Sequence, residues 1–311
     1  MRRALGWLLM EQRRHTTHQE ERRVSTVNVK RHRGRLTGFI VALVLLMNGC
    51  ALTFGYRHAD WLIRWQLDHY VDLTSSQRQE VAARLEPLLV RHRTEALPQY
   101  EQFLKDLQQR VGRGLSREDL EWTFAAYDRF RADLFERAVP EAGRLLTTLS
   151  SKQVRHLERV FRKEEAKGDR IVQASVAARL DDRTRKGMAL VEEWLGTLSQ
   201  EQSARVRPLI LALPDSQPVW WDYRRQRHDE ILGLLRHPMA AEEINHRLRQ
   251  MFVQSRQSAP ARYVEMDRDM RTGLTALVLE TDRIITPLQR RHAVASIQKV
   301  IDELHALARS S

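Results

Sequence analysis

The stretch Trp220-Trp221-Asp222-Tyr223-Arg224-Arg225-Gln226-Arg227-His228-Asp229-Glu230 gathers more chemistry-bearing side chains than any other in the chain. Indole faces attract guanidinium groups, and arginine forks grip carboxylates or phosphates. Trp220, Trp221, Tyr223, Arg224 and Arg227 are therefore candidates for a cleft that takes an anionic or peptide ligand. The same residue types serve equally well as a packed core whose arginines pair with neighbouring acids. A further candidate is Glu243-Ile-Asn-His246, with Glu242 beside it, which sets a carboxylate and an imidazole on one helix face. A di-iron bundle needs two such motifs and two further glutamates. The nearest partner is Asp302-Glu-Leu-His305, so a solvated polar face is the expectation and no metal site is assigned. Asp68, His69 and Asp72 crowd one helix end, where capping and ion pairing are the expected uses. No Gly-x-Ser-x-Gly, His-Glu-x-x-His or phosphate loop occurs, and no catalytic residue or cofactor is expected.

Cys50 is the single cysteine of the 311-residue chain. It excludes an intramolecular disulfide framework and a cysteine zinc site. Its position carries more. A basic cluster, Lys30, Arg31, Arg33 and Arg35, precedes the apolar run Leu36–Met47, and Asn48-Gly49-Cys50 follows. Charge, apolar run and small residue in that order describe an export signal. With a cysteine next, the segment resembles the lipobox of bacterial lipoprotein signal peptides. The resemblance implies diacylglyceryl transfer to the thiol, cleavage before Cys50 and acylation of the new amine. Met47 and Asn48 stand where Leu and a small residue are usual. The competing reading is an uncleaved anchor, since no charge occurs from Leu36 to Tyr56, long enough to span a bilayer. Ala51 replaces the Asp that marks inner-membrane retention, so the resemblance implies the outer membrane with a periplasmic body.

The formal charge of +12 points first to nucleic acid or a membrane surface. Residues 1–49 hold a surplus of seven positive charges, leaving about +5 over residues 50–311. That remainder is an ordinary mixed surface without an arginine–aromatic nucleic-acid module, so no nucleic-acid partner is expected.

The elements that must position these residues are helices. Gly and Pro number 13 and 9, and the apolar residues seldom alternate. Asp60 precedes Trp61, Ile63, Trp65, Leu67 and Tyr70, whose spacing puts two apolar stripes on a helix expected to pack on both sides. One pattern then recurs: an apolar residue, Ser or Thr, two variable positions and Gln. Its copies pair Thr74 with Gln77, Ser150 with Gln153, Ser199 with Gln202, and Thr286 with Gln289; Ser116 with Asp119 is a looser fifth. This is a capping box with a hydrophobic staple: the hydroxyl accepts from the N3 amide and the Gln reaches back to the N-cap amide. Uneven spacing of the copies argues against a solenoid of equal units. Pro98 and Pro140 fall inside long helical patterns and are expected to start, end or kink a helix. The expected architecture is all-α, an irregular bundle of about seven to ten helices, several long and kinked. Its organisation is an extended or mis-assigned N-terminus at 1–29, a signal peptide at 30–49, a lipidated tether at 50–59 and a helical periplasmic domain at 60–311.

The run Asp60-Trp61-Leu62-Ile63-Arg64-Trp65 through Leu67-Asp68, Tyr70-Val71-Asp72-Leu73-Thr74 and Gln77 resembles the opening of an uncharacterised family of proteobacterial lipoproteins. The likeness continues over most of residues 50–308, including 220–232, and implies a helical fold and an envelope location but no chemistry. Separately, Leu73-Thr74-x-x-Gln77 is similar to the signature of the Spy and CpxP periplasmic chaperones, with Ser for Thr at 149–153 and 198–202. The expected function is a non-enzymatic envelope lipoprotein that binds another envelope protein. A Spy/CpxP-like chaperone or stress factor, and a ligand- or metal-binding helical protein, are the alternatives.

Overall fold

The computed structural model describes residues 49–237 and 239–309. The expected N-terminal stretch 1–29 and the signal segment, apart from Gly49, lie outside the described residues. The chain runs through α1 (Gly49–Arg57), α2 (Ala59–Val71), α3 (Ser75–Arg91), a π-helical turn (His92–Ala96), α4 (Leu97–Arg113), α5 (Arg117–Thr147), α6 (Ser151–Gln173) and α7 (Val176–Leu195). It continues through α8 (Gln200–Leu211), α9 (Ser216–Leu235), α10 (Ala241–Leu248), another π-helical turn (Arg249–Val253), α11 (Ser255–Ser258), α12 (Ala261–Ile284) and α13 (Pro287–Arg309). The fold is all-α, and the long helices expected are present; short segments around the π-turns subdivide the rest. The stretch expected as a tether is itself helical, covered by α1 and the start of α2. Its Ala, Leu, Phe and Tyr residues carry no breaker beyond Gly55.

The prolines act in two ways. Pro98 sits in the first turn of α4, directly after the first π-turn. A proline ring clashes with the carbonyl four residues back, and the wider turn over His92–Ala96 relieves that clash. Pro140 lies inside α5, which continues through it.

The packing repeats itself across the two halves of the chain. In the N-terminal half, α2 packs on α3 and α6, and α3 on α5. In the C-terminal half, α7 packs on α8 and α13, and α8 on α12. The remaining long helix of each half then crosses over: α4 packs along α13, and α9 packs along α6. Thus α2, α3, α4, α5 and α6 correspond to α7, α8, α9, α12 and α13. The four copies of the helix-start motif are two pairs inside this arrangement, which is why their spacing in sequence is uneven.

Leu97 and Leu104 of α4 meet Ile297, Val300, Ile301, Leu304 and Leu307 of α13 in one apolar cluster. Val71, Leu73, Leu157, Phe161 and Leu232 join α2, α6 and α9 in another. Val139 and Leu234 close over Ile244, Leu248 and Met251. Helix α2 packs on one side only, against expectation. Leu67 and Tyr70 lie against the α2–α6–α9 cluster, but Trp61 and Trp65 remain 56% and 48% exposed. Their stripe at helical spacing is real, yet it stays about half exposed instead of being buried.

Candidate functional site

The helix-start motifs form their boxes and then do more. Thr74 Oγ1 accepts from the Gln77 amide at 3.2 Å while Gln77 Oε1 accepts from the Thr74 amide at 3.0 Å. Ser150 with Gln153, Ser199 with Gln202 and Thr286 with Gln289 repeat this reciprocal cap. Each glutamine still has its amide nitrogen available for a further task. Gln153 Nε2 donates to Gln77 Oε1 at 2.6 Å and to the Asp72 carbonyl at 3.1 Å. Gln77 Nε2 donates to the Thr148 carbonyl at 3.1 Å. In the C-terminal half, Gln202 Nε2 donates to Gln289 Oε1 at 2.8 Å and to the Ile284 carbonyl at 2.8 Å. Gln289 Nε2 donates to the Thr197 carbonyl at 3.0 Å. In every case the accepting carbonyl lies two residues before the partner's N-cap.

The motif is therefore a joint between two helix starts, built twice. All four glutamines are at most 8% exposed. Burying a primary amide is tolerable only with its donors and acceptor engaged, and each one here is. Asp72 contributes through its backbone, the single non-glycine residue with positive φ (48°) among the described residues. This left-handed C-cap ends α2 and turns the chain into the next start.

The fifth start differs because Asp cannot donate. Asp119 accepts from the Ser116 amide at 2.9 Å, and from Arg110 and Arg113, the latter at 2.8 Å. Its side chain is 2% exposed. Burial alone would raise its pKa, but the Ser116 amide and the two guanidiniums outweigh that and lower it from 3.8 to about 2.

The aromatic–arginine run occupies α9, and the structure places it inside the body. Trp220 and Trp221 are 8% and 7% exposed and meet edge to face, with ring centroids 4.7 Å apart. Arg224 lies 5.3 and 5.4 Å from the two ring centres and pairs with Glu164 of α6. Tyr70 of α2 donates to the other oxygen of Glu164 at 2.6 Å. Arg224 Nε donates to His228 Nε2 at 3.3 Å, which assigns the proton to Nδ1 and lets it donate to Glu165 at 2.7 Å. The imidazole stacks on Phe161 at 3.9 Å. Burial lowers the His228 pKa, Glu165 pulls it up and Arg224 pushes it down, for a net fall.

A histidine–carboxylate pair can serve as a general base when its distal nitrogen faces a substrate proton. Here that nitrogen accepts from Arg224, and the cluster instead ties α2, α6 and α9 together. Sequence reasoning named Trp220, Trp221, Tyr223, Arg224 and Arg227 but missed His228, Glu164, Glu165 and Tyr70. Adjacent acids Glu164 and Glu165 on α6, together with Arg224 and His228 four residues apart on α9, were the available signal.

Tyr223 and Arg227 face the other way. Tyr223 stacks on Tyr263 of α12 at 4.0 Å, and burial first, then Tyr223, pushes the Tyr263 hydroxyl up to about 12. Arg227 lies 4.8 Å from the Tyr223 ring centre and donates to Ser258 through its carbonyl at 2.9 Å and hydroxyl at 3.1 Å. Four of the five residues are thus split between two contacts, Trp221 and Arg224 toward α6, and Tyr223 and Arg227 toward α11–α12, while Trp220 is buried against Trp221 and Arg224. Trp221 fits because of Gly168: a Cβ there would come within 2.3 Å of the indole. The Trp221 Nε1 is buried with no acceptor among the described residues, so shape holds this ring.

The other polar groups are occupied with neighbours. Glu243 pairs with Arg247 at 2.9 Å, and His246 with Gln250 at 3.0 Å. Asp302 accepts from Gln298 at 2.8 Å, and His305 lies 3.3 Å from Glu101. Asp68 takes the Leu73 amide at 3.1 Å and Arg78 at 2.8 Å. Among the described residues no group of three His, Cys, Asp or Glu could hold a metal ion. No described helix is long and apolar enough to cross a membrane.

No curated protein matches the chain, and no solved structure does. A family model described as "Family of unknown function (DUF6279)" matches residues 69–275. That span holds the Gln77–Gln153 joint, the Trp–Arg cluster and Gln202, but stops before Gln289, so the structural unit extends past the match. With about two thirds of its length matched, the chain belongs to the DUF6279 family.

Proposed function

We propose that this chain is a non-enzymatic envelope lipoprotein, held by acyl chains on Cys50 at the periplasmic face of the outer membrane, whose helical body binds another envelope protein. The observation that carries the reading is the placement of the single cysteine. It follows Asn48-Gly49 directly at the end of the apolar run Leu36–Met47, itself preceded by a basic cluster. Two or more acyl chains give an effectively permanent anchor. The resemblance to proteobacterial lipoproteins over residues 50–308 agrees with this, and Ala51 favours outer-membrane sorting. For the body, the side chains best suited to bind a small ligand are spent on one another in the α9 cluster, which supports a scaffold with a protein partner over a ligand-binding protein. The likeness of the helix starts to Spy and CpxP supports a chaperone reading less, because the buried joints account for every glutamine of the motif.

Metabolic labelling with an alkyne fatty acid should mark the wild-type chain, and Cys50→Ser should abolish the label. Persistent labelling of the serine variant would overturn the anchor. Crosslinking in the intact envelope should then capture a discrete protein partner. Suppression of client aggregation by the purified chain, with no such partner, would favour the chaperone reading instead.

A further inference from the structure

Helices α1 and α2 carry a row of rings along one exposed side. Phe54, His58, Trp61, Trp65 and His69 recur every three or four residues, and all five are exposed. The backbone keeps them in line across the α1–α2 break: the His58 amide donates to Phe54 and the His58 carbonyl accepts from Leu62. Phe54 packs edge-on to His58 at 4.3 Å, Trp61 stacks with Trp65 at 6.3 Å, and Trp65 with His69 at 6.1 Å. The opposite side of these helices is fixed to the body, through Tyr56 on the α4–α13 cluster and Leu67 and Tyr70 on the α2–α6–α9 cluster. The row therefore faces outward.

Two observations identify what covers it. The first is where the chain outside the described residues ends. The apolar run Leu36–Met47 stops two residues before Gly49, the first of α1. Signal or anchor, a run of that kind delivers α1 to a bilayer. The other observation is charge. The His69 carbonyl meets His156 of α6 at 3.0 Å, and His156 lies 3.4 Å from Arg159. Along that exposed side α6 presents Lys152, Arg155, Arg159, Arg162 and Lys163, while the acids Glu158 and Asp169 are already paired, with Arg162 at 2.6 Å and Arg225 at 2.8 Å. On α2, Asp60 and Asp68 are matched by Arg64 and Arg78. Indoles favour the level of lipid headgroups, where an apolar body and a polar N–H are both satisfied. Lys and Arg beside them are drawn to anionic lipid.

We propose that the α1–α2 ring row, flanked by the basic side of α6, lies on the surface of a bilayer containing anionic phospholipid and holds the body against it. The inference deepens the anchored-lipoprotein reading and rests on it for the bilayer's presence.

The test uses the full chain reconstituted in vesicles whose phosphatidylcholine and phosphatidylglycerol carry brominated acyl chains, which quench nearby indoles. Trp61→Phe/Trp65→Phe keeps the rings, and so the fold, but removes their indole emission. Of the six tryptophans that follow Cys50, those two should supply most of the quenchable signal, so the variant's quenched fraction should fall at least about twofold. Omitting phosphatidylglycerol, or introducing Arg155→Glu/Arg159→Glu, should lower wild-type quenching and leave circular dichroism unchanged. A chain that floats with the vesicles but shows equal quenching in wild type and Phe variant overturns the docking and leaves the anchor standing. A Trp61–Trp65 face buried instead in a dimer, seen by sedimentation with no bromine effect, overturns it as well. A chain that does not float at all overturns both readings. Quenching indifferent to phosphatidylglycerol and to the arginine reversals removes the basic side of α6 from the surface.

Discussion

Two pairs of tryptophans set the terms of this molecule. Trp220 and Trp221 are neighbours in sequence, sit among arginines and acids, and are both buried, Trp221 against Gly168 of α6. Trp61 and Trp65 stand one helical turn apart, on a face whose pattern reads as core, and remain about half exposed. The Trp220–Trp221 pair has the neighbours of a ligand site and is packing. The Trp61–Trp65 pair has the spacing of packing and faces outward. Local residue type thus says little about direction. What decides it is how closely another element arrives: α9 meets α6 and α12, while the outer side of α2 stays about half exposed.

The buried side of this comparison is the more sensitive to change. Gly168→Val would drive a branched side chain into the Trp221 ring, where even a Cβ comes within 2.3 Å. Overpacking of this kind should cost about 3 kcal/mol or more. Chemical denaturation of the variant checks it, and a neutral result would mean the α6–α9 contact is looser than described. Acid should act next. Asp119 is held at about 2 against an ordinary 3.8. Its contribution, about 2 kcal/mol, is complete above about pH 4 and is lost as pH falls toward 2. Asp119→Asn should flatten that part of the stability–pH curve.

The glutamine joints give the smallest and most discriminating effects. Gln77→Leu and Gln153→Leu should each cost about 1–2 kcal/mol through lost caps and unmet carbonyls. Their double mutant should show a coupling of about 1 kcal/mol, because either loss already opens the joint. Gln77→Leu combined with Gln289→Leu should instead be additive within about 0.5 kcal/mol. Additivity within a joint, or coupling between joints, would break the picture of one device built twice.

The helical class and the four helix starts were legible because their signals are local. An apolar residue, then Ser or Thr, two variable positions and Gln at the head of a helical stripe states a capping box from local sequence alone. That the boxes pair was not legible: the glutamines meet across 76 and 87 residues, and amide composition does not name a distant partner. The uneven spacing of the copies, which argues against a solenoid, reflects two joints in two corresponding halves. Direction failed for the same reason at both tryptophan pairs. The stripe Trp61–Trp65 satisfies the period of a buried face, and period alone does not supply a neighbour. The lipidation reading of Cys50 depends on sequence throughout, since it lies at the edge of the described residues.

The contrast between the tryptophan pairs can be measured directly. Urea unfolding of the full chain in mild detergent, followed by circular dichroism, compares Trp221→Ala with Trp61→Ala. The account predicts a loss of about 3–5 kcal/mol for Trp221→Ala, the cost of emptying a packed aromatic site. It predicts a change within about 0.5 kcal/mol for Trp61→Ala. Equal losses, or a larger one at Trp61, would contradict the assignment of inward and outward faces.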